Sequence, residues 1–145
     1  SLDQAHAMEH SLEVHLPFLQ ETLDNFTLVP LVVGQAQPSE VAEVLERLWG
    51  GDETLIVISS DLSHFHDYDT AQKMDKATSE AIESLQWESI HSEHACGCVP
   101  ISGLLHLAHQ RGLRISTVDL RNSFDTEGNS SRDRVVGYGA FALNE

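Results

Sequence analysis

The sequence predicts an α/β fold in a single domain, and three observations carry that reading. Segments with helical periodicity alternate with strand-type segments from one end to the other. Thr54-Leu55-Ile56-Val57-Ile58-Ser59 is nearly all apolar, the mark of a central strand covered on both faces. Finally, no internal repeat, low-complexity tract or linker divides the 145 residues, a length that suits one buried core.

The elements follow in order. From Glu9 to Leu23, leucines at 12, 16, 19 and 23 recur at three- and four-residue spacing, an amphipathic helix with Pro17 as a kink or restart. Phe26 to Val33 is apolar and β-branched and stops at Gly34, a buried strand. Pro38-Ser39-Glu40 opens a helix whose inner face is Val41, Val44, Leu45 and Leu48, ended by Gly50-Gly51. After the strand at 54–59, Asp69 or Thr70 caps a helix that runs through Leu85. A short element spans Trp87 to His94. Ile101 to Gln110 forms a helix stopped by Gly112. Leu113–Leu120 and Val135–Leu143 are two closing strands, and the polar stretch Asn122–Arg134 between them reads as a mobile surface loop.

Composition excludes several function classes. Hydrophobic residues at 41% and charged residues at 21% describe a globular protein rather than a disordered one. Eight Lys and Arg oppose 23 Asp and Glu, a formal net charge of −15. Such a surface repels phosphate backbones and anionic lipid, so neither nucleic acid nor a membrane is expected as partner. No apolar run approaches the ~20 residues of a membrane span. Cys96 and Cys98 are separated only by Gly97, a spacing at which a disulfide is strained. Reduced thiols and the lack of a signal-type segment point to the cytoplasm.

Three segments carry the residues of chemistry. His6-Ala7-Met8-Glu9-His10 spells H-x-x-E-H, which on one continuous helix would place two imidazoles on a face with Glu9 as a base, the pattern of inverted zinc peptidases. Ser60-Asp61-Leu62-Ser63-His64 follows the central strand. There Asp61 and His64 reach the C-terminal rim of the sheet, where α/β proteins build sites, to ligate metal, orient a ligand or move a proton. The bland alternative is that Asp61 only caps a turn. Cys96-Gly97-Cys98-Val99-Pro100 opens a helix, and a helix N-terminus favours the thiolate that binds metals. A buried, inert cysteine is the competing reading.

Taken together these segments resemble the Memo-like family, found in bacteria and archaea as AmmeMemoRadiSam system protein B. Glu9-His10-Ser11-Leu12-Glu13 with Leu16-Pro17-Phe18 is similar to its E-H-S-[LI]-E-x-x-L-P-[FY] motif. Pro30-Leu31-Val32-Val33-Gly34, Val57 to His64, Cys96-Gly97 with Pro100-Ile101, and Val136-Gly137-Tyr138-Gly139-Ala140 resemble four further family segments, in family order. The resemblance implies a three-layer sandwich around a central mixed sheet, the fold of class III extradiol ring-cleaving dioxygenases, which hold non-haem iron. It also implies a metal pocket with His10 and Cys96 as metal ligands and Asp61 and His64 as the residues acting on substrate. The other histidine ligand of the family lies in an H-A-G-[YW] motif that does not occur here, so the resemblance covers residues 1–145 as a C-terminal portion of the family domain.

Three functions follow as expectations. The first is a redox-active protein holding one transition metal, iron before copper or zinc, with a small molecule or peptide in the pocket. The second is a non-catalytic module for partner binding or metal handling, as the signalling and motility roles of animal Memo proteins suggest. The third is the zinc peptidase. Strand edges left open by absent upstream residues would promote self-association.

Overall fold

The computed structural model describes residues 3–127 and 131–144. These contain six α-helices, α1 (Asp3–His6), α2 (Ser11–Thr22), α3 (Pro38–Leu48), α4 (Tyr68–Glu83), α5 (Cys98–Arg111) and α6 (Ser123–Glu127). A 3-10 turn occupies Trp87–Ser89, and the strands are β1 (His64–His66), β2 (Arg114–Asn122) and β3 (Val135–Asn144). The chain divides into two compact units, residues 1–34 and 35–145. Among the described residues no helix is long and apolar enough to cross a membrane.

In the first unit, α2 matches the expected leucine periodicity and continues through Pro17. The Glu9 carboxylate accepts the backbone N–H groups of His10 (2.8 Å) and Ser11 (2.9 Å), satisfying donors that a helix start leaves free. The expected continuous helix through H-x-x-E-H is not formed. His6 closes α1, a turn intervenes, and His10 is the N-cap of α2.

The second unit is organised by α3, α4 and α5. A reciprocal capping box between Gln37 and Glu40 starts α3. Val41, Ala42 and Leu45 are buried, whereas Val44 and Leu48 are exposed, a correction to the expected inner face. The reason is the close approach of α5. Gly103 lies so near Val41 that a Cβ there would overlap its side chain, and this turns the 41–42–45 edge of α3 inward. Arg111 closes the same helix pair, donating to both Glu46 oxygens at 2.9 and 3.0 Å.

The N-cap of α4 is Asp67 rather than Asp69 or Thr70. Its carboxylate accepts the Thr70 backbone N–H (3.1 Å) and hydroxyl (2.7 Å). Ala71, Asp75, Thr78, Ser79 and Ile82 form its buried stripe at helical spacing. From that stripe Ser79 bonds Thr117 of β2 through their hydroxyls at 2.7 Å. Ile82, Ile90, Leu105 and Ile115 make the core cluster, against which Trp87, Ile101, Phe141 and the half-buried Cys98 pack.

The described strands form a three-stranded antiparallel sheet in the order β1-β3-β2, within a mixed α/β fold. The expected strands at 26–33 and 54–59 are not strands. No described strand runs beside either to complete a hydrogen-bonded ladder. At 54–59 the two faces differ: Leu55 is 68% exposed and Val57 46%, while Ile56 and Ile58 are half-buried. Part of the expected loop at 122–134 is ordered instead. Asn122 and Ser123 are buried, and the Asn122 side chain accepts the Phe124 N–H at 3.0 Å to start α6. Residues 128–130 of that stretch lie outside the described ones.

Candidate metal centre

The site lies in the second unit, where two chain segments meet. The first, 60–64, follows the apolar run 54–59 and enters β1. It is anchored to β3 by two backbone bonds, Leu62 N–H to the Gly137 carbonyl and Gly137 N–H to the Ser63 carbonyl, each 2.8 Å. The second, 95–97, is the turn ahead of α5, with Gly97 as its N-cap.

A small set of bonds joins the segments. The Asp61 N–H donates to Cys96 Sγ at 3.1 Å, and the Cys96 N–H returns a bond to the Asp61 carbonyl at 3.3 Å. Ser60 Oγ accepts the Gly97 N–H at 2.8 Å, donates to the Asp61 carbonyl at 2.6 Å, and lies 3.6 Å from Cys96 Sγ. Glycine at 97 permits this approach, because a Cβ would sit 2.8 Å from both the Ser59 carbonyl oxygen and Ser60 Cβ.

The result is a cluster of three metal-type donors. Asp61, His64 and Cys96 each present one ligand atom, all within 4.8 Å of one another. His64 Nε2 is 3.4 Å from Asp61 Oδ2, and both side chains are partly open to solvent while Cys96 is exposed. Tetrahedral ligands around zinc, at about 2.0–2.3 Å from the ion, lie about 3.3–3.8 Å apart. The cluster is therefore near the required spacing, and imidazole, thiolate and carboxylate suit a first-row transition metal.

Backbone strain sits beside the site. Phe65 has φ 63, an uncommon conformation for a bulky residue, and it bulges β1 between His64 and His66. Its ring is covered by the Arg134 guanidinium, 4.1 Å from the centroid. Strain of this kind persists where the surroundings over-determine it, and here it lies one residue beyond His64.

The sequence-predicted residues thus fall into two groups. Asp61, His64 and Cys96 come together. His10 belongs to the first unit, where it is exposed and its Nδ1 lies 3.5 Å from Glu13. Cys98 is half-buried and packs against the core cluster. Sequence reasoning missed Asp75. It is 3% exposed, and its Oδ1 accepts the Ser63 N–H at 3.0 Å. Burial pushes its carboxyl above the ordinary aspartate range, with the Ser63 N–H opposing. A signal was available: a carboxylate inside the buried stripe 71–75–78–79–82 has no solvation reason to be there.

Comparison with known proteins agrees with the motifs. The profile of the family described as Memo-like protein matches residues 2–142. MEMO1 family proteins of Aquifex aeolicus and Metallosphaera sedula are 37% and 34% identical to this chain. Each alignment covers 94% of this chain, and respectively 54% and 52% of those proteins. A MEMO1 family protein of Thermoplasma acidophilum is 33% identical over 94% of the chain and 53% of its own length. The chain spans about half the length of the curated relatives it matches. With the profile match running nearly end to end, the chain belongs to the Memo-like family.

Proposed function

We propose that this chain carries a mononuclear transition-metal site in which Asp61, His64 and Cys96 face one ion. The fold we propose around it is the three-layer, mixed-sheet sandwich of class III extradiol dioxygenases. The observation that carries the metal reading is the convergence of three different donors within 4.8 Å, from segments 35 residues apart. Iron is the first candidate and copper or zinc the alternatives, since a thiolate beside imidazole suits all three.

Bound iron would supply dioxygen and ring-substrate activation. The chain's own residues would do the rest. Cys96 is held by the Asp61 N–H and is exposed to solvent. His64 and Asp61, 3.4 Å apart, would both be taken up in holding and orienting the ion's ligand set. Incubating the iron-loaded chain with catechols under oxygen tests the catalytic half of the proposal. Ring-opened products that vanish in His64→Ala support it, and intact catechols overturn it.

The second reading is metal handling without catalysis, favoured by the exposure of Cys96, a soft donor open to exchange. Metal that passes to a competing chelator within seconds, with no turnover of any ring substrate, would favour it. His10 enters as a ligand through the family resemblance, and loss of metal in His10→Ala tests that assignment.

A further inference from the structure

Asp75 is the one buried acidic side chain among the described residues. We propose that it is a positioning residue for the metal site, its carboxylate fixing the backbone that carries Asp61 and His64. The inference rests on the metal-site reading above.

The backbone between Asp61 and His64 is anchored from two sides. β3 holds residues 62 and 63 through the two Gly137 bonds. The Ser63 N–H is directed elsewhere, and Ser63 is fully buried, so its donor needs a protein acceptor. Asp75 Oδ1 provides it at 3.0 Å, reaching across from α4. Gly137 is what lets the carboxylate in, since a Cβ at 137 would overlap the Asp75 carboxyl group. Residues 63, 75 and 137 therefore meet at one point and fix the stretch between Asp61 and His64. Beyond it the Phe65 bulge fixes the other side of His64. A buried carboxylate is costly to keep when an apolar residue would pack there, and the Ser63 amide explains its presence.

Cobalt(II) titration followed by the sulfur-to-cobalt absorption band tests this. Wild type should bind one ion. Asp75→Ala should keep one site with about tenfold weaker affinity, and Asp75→Asn, which retains an oxygen acceptor, should stay within about twofold of wild type. If Asp75→Ala does not fold, Asp75→Glu takes its place: it moves the acceptor by one methylene and should weaken binding while circular dichroism stays native. Wild-type affinity in the Ala or Glu variant would overturn the positioning role and leave the metal site standing. An Asn variant as weak as Ala would overturn the acceptor argument. No cobalt bound by wild type would overturn the metal reading itself, and this inference with it.

Discussion

The Asp61 backbone N–H points at Cys96 Sγ across 3.1 Å, so the sulfur of one segment is held by the peptide of another 35 residues away. That bond, the return bond from the Cys96 N–H and the Ser60 latch all depend on Gly97 lying against Ser59 and Ser60. Gly97→Ala would push the two segments apart by several tenths of an ångström. Its metal affinity should fall about tenfold, with helical content unchanged by circular dichroism. Unaltered affinity would show that the contact does not shape the site.

Asp75 gives a pH signature with a definite sign. Its folded-state carboxyl is raised above the ordinary aspartate range by burial, so the folded chain keeps that proton longer than the unfolded chain does. The contribution to stability is full below the ordinary range and is lost as pH rises through the raised value. Asp75→Asn has no proton to lose. In urea unfolding from about pH 3.5 to about pH 7, the variant should gain on wild type as pH rises. A stability difference that does not change with pH would contradict the assignment.

Leu105 is 1% exposed at the centre of the core cluster formed with Ile82, Ile90 and Ile115. Leu105→Ala should cost about 2–5 kcal/mol in urea unfolding at constant m-value. A loss under about 1 kcal/mol would mean that this cluster does not hold the second unit together.

The break between α1 and α2 separates His6 from His10, so the shared helical face that a zinc peptidase needs is not formed. His6→Ala should bind metal as wild type does. Metal loss as complete as in Cys96→Ala would bring the peptidase arrangement back.

Much of this was legible in the sequence because it depends on local periodicity. The apolar spacing of α2, α3 and α5 and the apolar runs of β2 and β3 report directly on the kind of element formed, while the buried face of α3 was set by the approach of α5. Asp61, His64 and Cys96 were legible as chemistry-bearing residues after an apolar run and ahead of a helix. The strands expected at 26–33 and 54–59 were not formed because an apolar run records a preference for burial, whereas a strand also needs a neighbour to complete its ladder. The Asp67 cap was missed because Asp67, Asp69 and Thr70 are all competent caps, and only the geometry of the entering chain selects among them. β1 was hidden by Phe65, whose φ of 63 puts a bulge into a three-residue strand. Asp75 was missed because its partner, the Ser63 amide, is a backbone group that no side-chain motif marks.

Elemental mass spectrometry decides whether Asp61, His64 and Cys96 hold a metal ion. The chain, its Cys96→Ala variant and its His64→Ala variant would each be exposed to ferrous iron, zinc and cuprous copper in turn and then desalted. Wild type should retain about one ion per chain for at least one metal, and either variant near none. Wild type that retains no metal, or variants that retain as much as wild type, would contradict that metal site.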